Sequence, residues 1–295
     1  MSDDHPEHIQ QIAILGGAGR IGAWFVKYFI NKKFNVVLTD IREEEARSVA
    51  LETGATLAKD NLEAVRDADI VLLCVPMVVI PGLILEVAPN MKEGSVLGEV
   101  SSIKSRAVEA LHKVPSHGVK PLSIHPMFGP SAESVKGKTL VVVPIHDEDF
   151  EVGLVHKIFG GSNIVVTSSE EHDRGMAVNL SLTYLLNLAL GEAMKKEDIR
   201  FLKSLAGTTF TVQLAVLEGV VSEDPKLIQS LLIENKYTPE YLDRYLSAVK
   251  EIGDMVRTDE GFHDYLSSLR DYLKGDEDFS LADERRYKAF KALSE

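Results

Sequence analysis

His125 is the residue best suited to acid–base chemistry, because an unperturbed imidazole changes charge near neutrality. It follows the apolar run Val119–Ile124 and opens the segment His-Pro-Met-Phe-Gly-Pro. A lone histidine is more often structural than catalytic, so its neighbours must decide. Gly17-Ala-Gly19-Arg20-Ile21-Gly22 has the GxGxxG spacing that lets a backbone wrap a pyrophosphate. Ser101, Ser102 and Lys104 follow a further apolar run, Ser95–Gly98, and Val75-Pro76 closes another that begins at Ile70. Together these groups suit proton transfer beside a bound dinucleotide.

Such groups need a scaffold that gathers them at one edge. From Ile12 to about Val166, short β-branched runs alternate with longer amphipathic segments, the pattern of βαβ units on a mainly parallel sheet. The expected strands are Ile12–Leu15, Asn35–Thr39, Ile70–Val75, Ser95–Gly98, Val119–Ile124, Thr139–Val143 and Asn163–Val166. In an open parallel sheet, ligands bind outside the carboxyl ends of the strands, where the polar groups named above fall. After Thr167 the strand signal gives way to successive helices. The expected architecture is an N-terminal α/β Rossmann-type dinucleotide-binding domain over residues 11–168, behind a flexible tail of residues 1–10, followed by an all-α dimerisation and substrate domain over residues 169–295.

The glycine segment sits in the required context, with a strand before it and a helix, Arg20–Asn31, after it. Gly17 is expected to permit the tight turn, Gly19 the approach of backbone to pyrophosphate, and Gly22 the close packing of helix on strand. Arg20 and Ile21 open the helix whose free N–H groups would face the phosphates. Asp40 ends the second strand eighteen residues after Gly22, placed to accept hydrogen bonds from the adenosine ribose. A carboxylate there repels a 2′-phosphate, so NAD is favoured over NADP, although Arg42 weakens that preference. Val75 and Pro76 complete the expected cofactor contacts.

Composition narrows the field further. A net charge of −13 disfavours nucleic acid and anionic membrane surfaces as partners. The single cysteine, Cys74, excludes an internal disulfide, and its apolar surroundings mark it as an inert core thiol. No metal site is expected. The first ten residues lack the basic and apolar regions of a secretory signal, and the longest uncharged stretch, Gly175 to Gly191, is too short to span a bilayer. A cytoplasmic location is expected. Met176–Ala193 is apolar all round the helical wheel, which predicts a core shared by two subunits of a homodimer.

GGAGRIG, SSIKS, IHPMFGP and EEHDRGMA, in this order and spacing, resemble the prephenate dehydrogenase family over about residues 11–250. The resemblance implies NAD-dependent oxidative decarboxylation of prephenate to 4-hydroxyphenylpyruvate in tyrosine biosynthesis. It makes His125 the acceptor of the ring-hydroxyl proton and Ser102 the serine that hydrogen-bonds both that histidine and the hydroxyl. Lys104 matches a lysine of the same motif near the substrate, with a solvated helix start as its alternative. Arg174 is a candidate carboxylate ligand, or else the partner of Glu170 or Glu171 in a surface ion pair.

Two positions depart from the family. Relatives place an arginine five residues before the Asp-Pro pair of the helical domain, where this chain has Gly219 before Asp224-Pro225. They also commonly carry a histidine where this chain has Tyr184, an altered substrate contact. Loss of a charge-assisted contact to a dianion costs roughly 1.5–3 kcal/mol unless another cation replaces it. Arogenate or an amino-substituted prephenate is therefore an alternative substrate. A β-hydroxyacid dehydrogenase is disfavoured because the junction Glu170–Asn179 holds no lysine. A non-catalytic nucleotide-dependent sensor is disfavoured because His125 and Ser102 are both present.

Overall fold

The computed structural model describes residues 9–258 and 260–294. Residues 1–8 of the expected tail lie outside them. The chain divides into two compact units, one ending at Met176 and the other beginning at Ala177.

The first unit is built on an eight-stranded sheet. Its elements are β1 (Gln11–Leu15), α1 (Arg20–Asn31), β2 (Asn35–Thr39), α2 (Glu43–Thr53), β3 (Thr56–Leu57), α3 (Asn61–Arg66), β4 (Ile70–Leu73), α4 (Ile80–Val87), β5 (Val96–Glu99), α5 (Ser105–Leu111), β6 (Lys120–Pro126), β7 (Thr139–Val142), α6 (Glu148–Ile158), β8 (Asn163–Val166) and α7 (Ser169–Met176). The strand order is β3-β2-β1-β4-β5-β6-β7-β8. All neighbours from β3 to β6 pair in parallel, β7 pairs antiparallel with β6, and β8 pairs in parallel with β7, so the last two strands run opposite to the other six.

Both faces of the sheet are covered, as the apolar runs require. Ile12, Ile14, Ile70, Leu72, Leu122 and Ile124 pack with Phe25, Val26 and Phe29 of α1 and Leu154 and Ile158 of α6. Their neighbours in sequence, Ala13, Leu15, Val71, Leu73 and Leu97, point the other way and pack with Ile80, Leu83 and Ile84 of α4 and Ala107 and Leu111 of α5. This alternation follows from the two-residue period of a strand. β3, only two residues long, leaves no such period in the sequence.

Two differences from the expected strands bear on the site. β4 ends at Leu73, so Cys74, Val75 and Pro76 form the turn beyond it. β6 runs on to Pro126, so His125 lies within a strand rather than after one. The reason is a change of partner: β6 pairs with β5 up to Ser123 opposite Glu99, then with β7 from Ile124 to Pro126.

The second unit begins with Ala177–Leu182, a turn of π-helix, and continues through α8 (Thr183–Met194), α9 (Ile199–Ser204), α10 (Thr208–Val221), α11 (Pro225–Ile233), α12 (Thr238–Thr258), α13 (Phe262–Leu273) and α14 (Ala282–Ser294). The apolar helix expected over Met176–Ala193 thus begins with a widened turn. There the Ser181 hydroxyl donates to the carbonyl of Leu231 and accepts from Thr238, tying this segment to α11 and α12. Asn187 is the one fully buried residue of α8, and its amide donates to Thr183 while its carbonyl accepts from Gln213. No helix among the described residues is long and apolar enough to cross a membrane.

Gly22 tests how tightly α1 is seated on β1. A Cβ there would fall 2.0 Å from the carbonyl oxygen of Gly16, which is backbone and cannot rotate away. Gly22→Ala should destabilise the first unit by about 1–3 kcal/mol, the usual cost of overpacking. Chemical denaturation checks this, and an unchanged midpoint would contradict so close an approach.

Candidate active site

The turn after β1 carries the nucleotide-binding geometry. Gly16 and Gly17 both donate to the carbonyl of Thr39, and Gly19 donates to Gly16. The left-handed residue of the turn is Gly16, at φ 86°, and not Gly17 as the spacing suggested. A Cβ on Gly16 would lie 2.5 Å from the Cys74 carbonyl oxygen, and one on Gly17 2.8 Å from Leu38 Cβ. Gly17 is therefore required by contact with the neighbouring strand, while Gly16 makes the bend.

Helix α1 has no side-chain cap and no acidic residue in its first turn. Its first N–H groups, including those of Arg20 and Ile21, sit at the positive end of the helix, the arrangement that suits a pyrophosphate. Val75 and Pro76 lie beside this turn, with Val75 Cγ1 2.9 Å from where a Gly16 Cβ would be. Asp40 accepts from the Ala18 N–H at 3.0 Å, and from the Arg42 N–H and Nε at 3.0 and 3.1 Å. The carboxylate expected at the ribose thus already ties the glycine turn to an arginine. Cys74 is buried, and burial pushes its thiol pKa up, in keeping with an inert core residue.

The second group of residues surrounds the end of β5. Glu99, Lys104 and Ser123 are wholly buried. Lys104 Nζ donates to Glu99 Oε1 and to the Ile124 carbonyl, each at 2.6 Å. Ser123 donates to the same Glu99 oxygen at 2.5 Å. Glu99 Oε2 accepts from the N–H of Ser101 at 2.7 Å and from its hydroxyl. Two unpaired charges here would cost several kcal/mol each, and the pair persists because each partner is also hydrogen-bonded to its surroundings. Burial pulls the Lys104 pKa below the ordinary lysine value, against the opposing pull of Glu99.

Lys104 therefore stands neither at a solvated helix start nor with its ammonium open to a ligand. Its role in this structure is to join β5 to β6 one residue before His125.

His125 is 6% exposed. Its Nδ1 lies 2.9 Å from Nε2 of His172, whose Nδ1 lies 2.9 Å from Asp173 Oδ1. Asp173 also accepts from the N–H groups of Lys104 and Ser105, at 2.8 and 2.9 Å, and from the Ser105 hydroxyl. Burial alone would raise the Asp173 pKa, but these hydrogen bonds outweigh it and hold the carboxyl below its usual range. Burial, the nearby Lys104 ammonium and His172 together press the His125 pKa well below 6.5, opposed by Asp173. Among the described residues no buried side-chain nitrogen or oxygen lacks a partner. The bonded atom of His125 is Nδ1, so the little exposure it keeps includes Nε2.

The strand exit beyond His125 is also fixed. Phe128 packs against Trp24 of α1 with ring centroids 5.1 Å apart, and the Trp24 indole N–H donates to the Ala132 carbonyl at 2.6 Å. The histidine segment is thereby held on the helix that opens the nucleotide turn.

Ser102 is half-buried, and among the described hydrogen bonds the partner of His125 is His172 rather than Ser102. Arg174 lies on α7 with its guanidinium 3.5 Å from Glu170, the helical ion pair weighed above. Tyr184 is half-buried on α8 of the second unit. Gly219 is exposed on α10 with nothing within 4 Å of an added Cβ, so open space marks the position where an arginine was expected. Glu99, Ser123, His172 and Asp173 were not singled out by sequence. The last two lie in the quoted segment EEHDRGMA, where an adjacent His-Asp pair was the available signal.

Fold and site together define a Rossmann-type nucleotide-binding unit followed by an all-helical one. The family model of the prephenate dehydrogenase nucleotide-binding domain matches residues 28–168, and that of the prephenate dehydrogenase dimerization domain matches residues 168–274. The chain belongs to the prephenate dehydrogenase family, whose members are dehydrogenases with a nucleotide-binding domain. It is 30% identical over 260 residues to a probable arogenate/prephenate dehydrogenase of Methanocaldococcus jannaschii, covering 85% of this chain and 58% of that protein. It is 25% identical over 268 residues to a 4-amino-4-deoxyprephenate dehydrogenase of Streptomyces pristinaespiralis, covering 88% and 90%. The chain therefore spans somewhat over half the length of the first relative and nearly all of the second. A prephenate dehydrogenase of A. aeolicus, crystallised with hydroxyphenyl propionate and NAD+, shares the fold at a TM-score of 0.74 and 17% identity, over 92% of this chain and 100% of that one.

Removing the ammonium from the Glu99 site should be costly. Lys104→Met leaves a buried carboxylate without its counter-ion, which typically costs about 3–5 kcal/mol. Equilibrium unfolding in urea measures it; a loss under 1 kcal/mol, the range of a surface pair, would show that Lys104 is not buried against Glu99.

Proposed function

We propose that this chain is a cytoplasmic, homodimeric, NAD-dependent dehydrogenase that oxidises and decarboxylates prephenate to 4-hydroxyphenylpyruvate in tyrosine biosynthesis. The observation that carries this reading is a buried imidazole near the carboxyl end of β6, bonded through Nδ1 to His172, with burial pressing its pKa down. His125 takes the proton of the ring hydroxyl as hydride departs from the carbon that bears it, and loss of carbon dioxide makes the ring aromatic. When bound, NAD supplies the hydride acceptor. Gly17, Gly19, Gly22 and the first turn of α1, with Arg20 and Ile21, would hold its pyrophosphate, Val75 and Pro76 would border it, and Asp40 would receive the ribose after releasing Arg42. Ser102 is the next residue after Ser101, whose hydroxyl is committed to Glu99, and would offer its own hydroxyl to the substrate.

Arg174 is the candidate carboxylate ligand of the first unit, since its exposed pairing with Glu170 is worth only about 0–1 kcal/mol and is readily exchanged. Lys104 acts through its carboxylate partner and the strand end, not by touching substrate. Tyr184, on α8, is a further candidate substrate contact. Homodimerisation through that unit is supported by its family model and by exposed apolar residues such as Leu205, Ile233 and Val256. A second reading, turnover of arogenate or of an amino-substituted prephenate, is favoured by the open position at Gly219 and by the name of the S. pristinaespiralis relative.

Formation of reduced nucleotide should be followed with prephenate, arogenate and 4-amino-4-deoxyprephenate, each with NAD and with NADP. Prephenate with NAD is expected to show the highest kcat/KM, and a higher value for an amino-substituted substrate would transfer the assignment to it. His125→Asn should lower kcat by roughly 10²–10⁴-fold at unchanged cofactor affinity. The base must be neutral to act, and its pKa lies well below 6.5. The parental rate should therefore hold as pH falls from 8 to 6 and drop only as pH passes down through the lowered pKa. A rate falling already near 7, or a fully active His125→Asn, would remove His125 from this role.

A further inference from the structure

The chain His125–His172–Asp173 contains more than three buried side chains in sequence. Asp173 is held as a carboxylate, so it accepts and does not donate. The atom of His172 facing it, Nδ1, must then carry a proton. In a neutral imidazole the other nitrogen is bare, so His172 Nε2 accepts. Its partner 2.9 Å away, His125 Nδ1, must donate. A neutral His125 that donates from Nδ1 has its lone pair on Nε2, the nitrogen that keeps access to solvent. With both imidazoles neutral, the direction of every bond follows from the charge at one end.

The carboxylate that sets this direction is itself immobilised. It accepts from consecutive backbone N–H groups at the start of α5, those of Lys104 and Ser105, and from the Ser105 hydroxyl. Lys104 in turn grips the Ile124 carbonyl next to His125. The two ends of the chain are therefore referred to the same residue, and the rings between them are 3% and 6% exposed. The histidine rings meet at 66° with centroids 5.1 Å apart, so their contact is the nitrogen-to-nitrogen bond and not a stack.

We propose that His172 and Asp173 are positioning residues that fix His125 as its Nδ1-protonated tautomer, so that Nε2 is the basic atom of the site. This rests on the reading of His125 as the base, and extends it from a residue to an atom. Neither positioning residue needs to touch the substrate. The competing arrangement, a doubly protonated His172 donating to His125 Nδ1, would put the His125 proton on Nε2 and block it as a base.

The tautomer can be read without substrate or cofactor. Long-range proton–nitrogen spectra of the full chain labelled with ¹⁵N-histidine, with His125 assigned through His125→Asn, should show a protonated Nδ1 and a bare Nε2 at pH 7.5. A protonated Nε2 on His125 would overturn the proposal. A paired set of variants supplies the second readout. His172→Leu offers no acceptor and should scramble the tautomer, lowering kcat by roughly 10²-fold or more, as wrong-tautomer variants of other enzymes do, while KM for the nucleotide stays within about threefold. His172→Gln, whose carbonyl can accept from Nδ1, should recover kcat to within about tenfold of the parent. A structural role alone predicts no change of tautomer and no rescue by glutamine, and that result would refute positioning. If no candidate substrate is turned over by the parental chain, the assigned reaction falls while the spectrum still decides the tautomer. The tautomer is read on the unmodified protein, and His125→Asn serves only to assign its signal.

Discussion

A lysine ammonium buried against a glutamate at the end of a parallel strand is the constraint on which the rest of this site depends. Glu99 and Lys104 sit in a place where neither would be tolerated alone, and together they are satisfied only if β5, β6 and the start of α5 meet in one arrangement. That arrangement puts the backbone of Lys104 and Ser105 where it captures Asp173, and so brings α7 against the strand end. His125 is reached from two sides, through its neighbour Ile124 and through His172. The same network that spends charge on burial gives the imidazole a low proton affinity and a defined orientation, which are the two properties a base in a dry site needs.

The scaffold was legible in the sequence for a simple reason. The strands are short, β-branched and bounded by turns, and β2 and β8 coincide with the expected Asn35–Thr39 and Asn163–Val166. His125 stood out because its segment is distinctive, and the glycine turn because its spacing is set by local sterics. The supporting network was not legible. Its bonds join residues 47 to 69 positions apart, and no periodicity or short motif reports which carboxylate will meet which imidazole. Lys104 misled for a related reason: lysine is almost never fully buried, so a strand-end lysine reads as a ligand or a surface residue. Asp173 and His172 stood beside Arg174, whose charge drew the functional reading, while the burial of their pairing left no mark in the sequence.

Charge explains a second feature of the molecule. At a net charge of −13, an anionic substrate must be drawn by local cations, and the one most deeply placed, Lys104, is already neutralised by Glu99. Arg42 is likewise engaged by Asp40 on the nucleotide side. Under the proposed function, substrate recognition falls to groups whose present partners are exposed and exchangeable, such as Arg174. The groups around His125 are buried and mutually fixed, while Arg174 is exposed. Such a division allows one base and one nucleotide fold to serve ring substrates that differ away from the reacting carbon.

The central claim is that Nε2 of His125 meets the hydroxyl of the reacting ring carbon, on the side away from the nicotinamide. A crystal structure of the chain with NAD+ and a hydroxyphenyl product analogue measures this directly. The account predicts Nε2 within about 2.6–3.2 Å of the analogue's ring hydroxyl, with Nδ1 still bonded to His172. An imidazole turned so that Nε2 faces the protein interior, or one separated from that hydroxyl by more than a single water, would contradict it.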